Sequence, residues 1–191
     1  GSLLGASTPS KDRVAYIDGG SRGNPGPAGY GVVIQDAAGK TLETLSQAIG
    51  KATNNVAEYQ ALLAALEYVL GHQGSRLQVY CDSELIVRQM QGRYRVQSPD
   101  LIPLHRRARE LARKLERFSI QHIPREQNSA ADRLANDAMD QARIIQKSPG
   151  SSPATSQSLI AVCENGLLRP IRPSPPLEEG AEYEVRLRKQ R

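Results

Sequence analysis

The chain has no tryptophan, a single phenylalanine and only two cysteines, and nowhere does it hold an apolar run long enough to cross a bilayer. A spanning helix needs about 18 such residues, so no membrane span is expected. Leu3, Leu4 and Ala6 are too few for the apolar region of a signal peptide. Cys81 and Cys163 lie far apart, lack metal-ligand spacing and have no activating histidine pair nearby, so they read as reduced thiols and not as nucleophiles. A reducing, cytoplasmic location is the expectation. Gly1-Ser2 resembles the scar of a cleaved tag, and residues 1–10 are expected to be a disordered N-terminal segment.

What is present in excess is positive charge, and it is unevenly placed. The 191 residues carry a formal net charge of +5. Between Arg93 and Arg117 eight basic residues face three acids (Asp100, Glu110 and Glu116), an excess that equals the net charge of the whole chain. A localised positive patch suits a polyanionic partner. The length allows one well-packed domain and a small appendage.

Residues 13–19 alternate and are rich in strand formers, and GGSRGNPGPAG after them reads as a loop. YGVVIQ and TLETLSQAI follow as two strands joined at Asp36–Gly39, making a three-stranded meander. From Val56 to Leu70 apolar residues recur at helical spacing, with Thr53-Asn54-Asn55 offering the cap and Gly71 a stop. Residues 77–81 (LQVYC) form a short strand, and Asp82-Ser83 caps a helix through Met90. Ser98-Pro99-Asp100 opens another helix, read as continuing to Arg117, with an apolar stripe and a second face repeating Arg106, Arg109, Arg113 and Arg117. That arginine face is either simply solvated or tracks phosphates. FSIQHI gives a fifth strand, and Asn128-Ser129 caps a last helix to about Gln141.

The expected domain organisation is a main domain over 11–142, a polar Pro/Gly/Ser linker over 143–158 and a small β-rich extension over 159–191. In that extension LIAVCENGLLRPI folds back at Asn165-Gly166 and AEYEVRLR alternates, giving about three strands. So small a unit needs a partner surface.

Four acids stand out by their setting. Asp18 shares a strand face with Val14 and Tyr16, where an unpaired charge is costly. Asp82 ends a strand, while Glu58 and Asp132 lie near the starts of helices. Carboxylates gathered at one sheet edge resist joint ionisation, which makes a divalent cation their natural partner, and all-oxygen ligation selects Mg²⁺ or Mn²⁺ over zinc.

Four blocks, DGGSRGNPGPAGYG at Asp18, TNNVAEYQAL at Glu58, VYCDSELIVRQM at Asp82 and REQNSAADRLAN at Asp132, occur in order over residues 13–142 and resemble type 1 ribonuclease H. The resemblance implies an α/β fold, a five-stranded mixed sheet flanked by helices with strands one to three antiparallel. It implies a hybrid-specific endonuclease that cuts the RNA strand of RNA/DNA hybrids with two Mg²⁺ ions, Mn²⁺ being a substitute, and leaves 5′-phosphate and 3′-hydroxyl ends. Asp18 would bridge both ions, Glu58 and Asp82 would hold the first, and Asp132 the second. Gly19, Asn24, Thr53, Asn54 and Asn55 would contact the hybrid, Gly19 through close backbone approach and Thr53 with Asn24 at a phosphate of the DNA strand. For Asn54 and Asn55 helix capping is the rival reading.

Two departures from the family pattern matter. Many members carry a histidine in the loop before the last acid, but His72, His105 and His122 all fall elsewhere, His122 in a strand. Arg125 occupies that loop, as in a branch of the family where arginine takes the part. The stretch from Gly92 to Leu101 is also too short for the basic, Trp-rich helix that some members use to grip substrate. Glu164–Gly180 resembles, more weakly, a small antitoxin-type β domain. For the extension, hybrid binding, self-association and simple packing are all open. Two other functions stay in view: a non-catalytic nucleic-acid-binding module, and a toxin-antitoxin or assembly component acting through the tail.

Overall fold

Alternation of side chains decides which way the first strands face. β1 (Asp12–Ser21) turns Ala15 and Ile17 into the core, and its antiparallel neighbour β2 (Gly26–Asp36) does the same with Tyr30, Val32 and Ile34. β3 (Thr41–Ala52) pairs antiparallel with β2 and forms a largely exposed edge. The computed structural model describes residues 11–147, 161–164 and 167–170. The expected disordered start, most of the linker and the strand expected at 181–188 lie outside the described residues.

After β3 the chain turns helical because Thr53 caps α1 (Asn54–Gly71), its side chain accepting from the Val56 N–H at 3.3 Å. β4 (Arg76–Cys81) returns parallel to β1. Ser83 then caps α2 (Glu84–Met90), and α3 (Leu101–Ala112) packs against α1. β5 (Arg117–His122) lies parallel to β4, which completes a mixed sheet in the order β3-β2-β1-β4-β5. This is the expected five-stranded α/β arrangement. A short 3₁₀ turn over Arg125–Gln127 leads into α4 (Ser129–Lys147).

The two sheet faces are covered differently. On one face α1 buries Leu62, Leu66 and Val69 against Ile17, Val32 and Val79 in the main core. On the other, α4 offers a stripe of small residues, Ala131, Ala135, Ala138 and Ala142, all buried. Opposite them stand Gly29 and Gly31, where any side chain would collide with α4 backbone at Ala138–Met139 and at Ala131–Ala135. Alanine on glycine lets the helix lie almost directly on the strand.

Four expectations change. The glycine-rich stretch expected to be a loop is mostly strand: Gly19 pairs with Tyr30 and Gly20 with Gly29, leaving only Arg22–Pro25 between β1 and β2. Glycine here serves close packing of helices on strands, and local propensity does not record that. The helix expected to reach Arg117 ends at Ala112, and Arg117 belongs to β5, so it leaves the arginine face of α3. α4 runs on to Lys147, past Gln141. Asn128 does more than cap, as described below.

The chain divides into two compact units, 1–149 and 150–191. In the second, β6 (Ala161–Glu164) and β7 (Leu167–Pro170) pair antiparallel with Val162 opposite Arg169. The Asn165-Gly166 turn expected between them lies outside the described residues. No helix among the described residues is long and apolar enough to cross a membrane.

Candidate active site

Asp18 sits near the end of the central strand β1, only 8% exposed, across from Gly31 of β2. Its neighbour Gly19 faces the opposite side, where a side chain would run into the Ala57 carbonyl and the Glu58 nitrogen. The first turn of α1 therefore rests on the β1 backbone, and Glu58 is delivered beside Asp18. This close packing is a structural reason for glycine at 19. Asp82 follows the last residue of the adjacent parallel strand β4, and Asp132 stands in the first turn of α4. Four elements thus converge on one end of the sheet.

The electrostatics show how closely the acids are drawn together. Burial, then repulsion from Asp82 and Asp132, pushes the Asp18 carboxyl up to about 7, against a partial offset from the Gly19 N–H and Arg125. Glu58 is pushed up to about 8, first by burial and then by Asp18 and Asp82, while a hydrogen bond from Ser83 and the charge of Arg125 pull the other way. Its Oε2 is sealed from solvent and has no hydrogen-bond partner. Buried carboxylate oxygens with too few donors are costly, and the group responds by holding its proton.

Polar neighbours fix the remaining two acids. The buried amide of Asn128 donates to the Ile17 carbonyl at 2.9 Å and to Asp82 Oδ1 at 3.3 Å, tying β1, the end of β4 and the start of α4 together. Arg125 Nη2 pairs with Asp132 Oδ1 at 2.6 Å, and Asn136 Nδ2 donates to Asp132 Oδ2 at 3.0 Å. Asn128, Ser83 and Asn136 were not singled out as site residues from the sequence, because a cap or a polar helix residue carries no mark of what its side chain reaches. The one available signal was that Ser83 directly follows Asp82 and that Asn128 and Asn136 flank Asp132 at four residues on either side.

The expected substrate contacts fall into a second group. Asn24 Oδ1 accepts from the Asn54 backbone N–H at 3.2 Å, and Asn54 Oδ1 accepts from the Ser21 N–H at 2.7 Å and the Ser21 hydroxyl at 3.0 Å. Asn24, Thr53 and Asn54 therefore meet where the β1–β2 loop joins the start of α1. Capping is performed by Thr53. Asn55 makes no side-chain hydrogen bond among the described residues. His122 is exposed on β5, and His72 stacks on Tyr68 at the end of α1, so neither joins the acids.

The donor set fits divalent cations. It is all oxygen, it repels itself, and it contains an enclosed carboxylate oxygen without a partner. Among the described residues no three acids close into a ready-made cage. Asp132 is held instead by Arg125, 72% of whose side chain is exposed.

The sequence profile of the family described as reverse transcriptase-like matches residues 16–138. The bifunctional protein Rv2228c of Mycobacterium tuberculosis is 52% identical over 130 residues, 68% of this chain and 36% of that protein. Ribonuclease HI of Halobacterium salinarum is 44% identical over 128 residues, 67% of this chain and 64% of the relative. Among solved structures, LC11-RNase H1 in complex with an RNA/DNA hybrid is similar with a TM-score of 0.65 and 47% identity, covering 69% of this chain and 99% of that one. The chain thus spans about a third of the mycobacterial relative and less than two thirds of the halobacterial one.

Proposed function

The chain belongs to the reverse transcriptase-like family and carries its ribonuclease HI-like domain, and on that premise we propose that it is an endonuclease hydrolysing the RNA strand of RNA/DNA hybrids. The observation that carries this reading is the cluster of Asp18, Glu58, Asp82 and Asp132 at one end of the sheet, two of them forced toward neutrality by their surroundings. A surface that only bound a polyanion would not gather four carboxylates. The similar LC11-RNase H1, whose structure contains an RNA/DNA hybrid, supports the choice of substrate.

Relatives of this type imply dependence on divalent metal. In the finer reading Asp18, Glu58, Asp82 and Asp132 would hold two Mg²⁺ ions, replaceable by Mn²⁺, Asp18 serving both, Glu58 and Asp82 the first and Asp132 the second. Bound there, the cations supply Lewis acidity toward the scissile phosphate and its leaving oxygen. The chain's own residues do the rest. Asp18 and Glu58, freed of their protons when charge is compensated, orient the reacting centre. Asn128 keeps Asp82 aligned with β1, and Ser83 orients Glu58. Arg125 holds Asp132 at rest and offers an exposed positive charge to the departing product. Asn24, Thr53 and Asn54 would grip the hybrid backbone beside the acids, with Gly19 and Asn55 at the edge of the strand to be cut. Water oxygen bonds to phosphorus and gives up a proton, the bond to the 3′ oxygen breaks and that oxygen takes up a proton, and the products carry 5′-phosphate and 3′-hydroxyl ends.

The test is cleavage of an end-labelled hybrid with Mg²⁺ or Mn²⁺, compared with an Asp18→Asn control. Cleavage well above the control is expected, and activity equal to it would remove the proposal. Self-association through 159–191 is a separate reading of the second unit, checked by the mass of the full chain in solution.

A further inference from the structure

Away from the acids, a groove of about 510 Å³ opens between the end of α2 and the outer face of α3. Its walls carry Arg95, Arg106, Arg109 and Arg113 against one carboxylate, Glu110. Arg95, Arg106 and Arg113 are exposed and make no ion pair among the described residues, in contrast to Arg88, which pairs with Glu84, and Arg107, which pairs with Glu67. These three keep their charge unanswered beside a concavity.

The groove is built. Arg109 Nη1 donates to the Met90 carbonyl at 3.2 Å, which locks α3 to the end of α2. The loop after α2 is pinned by the Arg93 and Tyr94 N–H groups, both bonding the Arg88 carbonyl. The Tyr94 ring, 48% exposed, lies with the Arg88 guanidinium 5.3 Å from its centroid and so presents a flat, cation-backed aromatic face at the rim. On the inner wall His105 has its Nε2 enclosed and without a partner.

Geometry narrows the occupant. Arg106, Arg109 and Arg113 follow one another at three and four residues, so the charges form a row of roughly 10 Å along α3. At about 3.4 Å per phosphate of one strand, such a row matches about three successive phosphates and exceeds a single small anion. α2 starts at the acid cluster and is seven residues long, so the groove begins on the order of 10 Å from the acids, within the reach of a single continuous strand.

The geometry points to this groove as a second nucleic-acid contact, taking the phosphodiester backbone of the hybrid a few nucleotides beyond the cut through Arg95, Arg106 and Arg113, with Tyr94 at the rim. The inference rests on the hybrid being the substrate, and it supplies the grip for which the chain has no Trp-rich helix.

The experiment measures binding of the full chain to a fluorescent 18-base-pair hybrid by anisotropy, in EDTA so that no cleavage intervenes, over a series of salt concentrations. Arg106→Gln/Arg113→Gln should weaken binding about tenfold near 0.1 M salt and reduce the slope of log affinity against log salt by about 2. Arg95→Gln alone should reduce it by about 1. Lys11→Gln/Lys40→Gln, the same charge loss at the opposite end of the sheet, should leave both quantities nearly unchanged. Equal losses for the two double variants, or none for either, overturn the inference, as does displacement of the hybrid by polyglutamate at charge concentrations where it competes as well as unlabelled hybrid. A chain that binds hybrid through these arginines but fails to cleave it with metal would leave the groove standing and refute the endonuclease reading alone.

Discussion

Asp18→Asn should abolish cleavage and, in the absence of metal, make the protein more stable. The folded chain holds Asp18 at about 7, against an ordinary value of 3.8. A group whose folded pKa is raised contributes stability that is complete below its unfolded pKa and is lost as pH rises through the folded value. Between about pH 4 and pH 7 the wild-type protein therefore loses stability on account of Asp18, by at most roughly 4 kcal/mol. Coupling to Glu58, itself raised to about 8, divides that amount, so about 2 kcal/mol is the expected gain for a neutral isostere at pH 8. For a domain of this size that is a rise in Tm of roughly 5–10 °C. Thermal unfolding followed by circular dichroism in EDTA at pH 4 and pH 8 checks it: the two proteins should melt together at pH 4 and separate at pH 8, the variant higher. Adding Mg²⁺ at pH 8 should raise the wild type and shrink the gap, because only the wild type keeps the full donor set. A variant that melts at or below the wild type at pH 8 in EDTA would refute the account of Asp18 as a strained, self-repelled carboxylate.

Other outcomes follow from the same geometry. Gly31→Ala places a methyl against the Ala131 carbonyl and Leu134, and should cost about 2–4 kcal/mol in urea unfolding while lowering cleavage, since α4 carries Asp132. Asn128→Ala removes the donor shared by Ile17 and Asp82, with an expected loss of about 1–3 kcal/mol and a higher Mg²⁺ requirement in the cleavage assay. Arg125→Ala should change stability by less than about 1 kcal/mol, because the ion pair is exposed on the arginine side, yet slow steady-state turnover more than the first turnover. A chain ending at Lys147 retains all four acids and should keep its cleavage rate within about threefold of the full chain.

Elements with local signals were legible from the sequence: Thr53 marks the start of α1, and the run from Leu77 to Cys81 marks β4. What escaped was long-range. Gly19 and Gly29 look like loop glycines until α1 and α4 are laid on them. Arg117 fits a helical repeat, but pairing of β5 with β4 outweighs that repeat. The four acids were legible as a set because their motifs occur in order. Their shared charge burden, the seal around Glu58 Oε2 and the resting pair of Arg125 with Asp132 depend on distances between segments far apart in the chain. Asn128 shows the limit best: it reads as a helix cap, whereas its amide reaches 111 residues back to Ile17.

That reach orders the site in time as well as in space. A chain emerging from the ribosome releases Asp18, Glu58 and Asp82 long before Asn128, and the strut joining β1 to the end of β4 closes only when the residues before α4 arrive. Asp132 comes four residues later on the same turn. The nascent chain thus stays without its fourth acid and its alignment until the start of the last helix of the domain has been made.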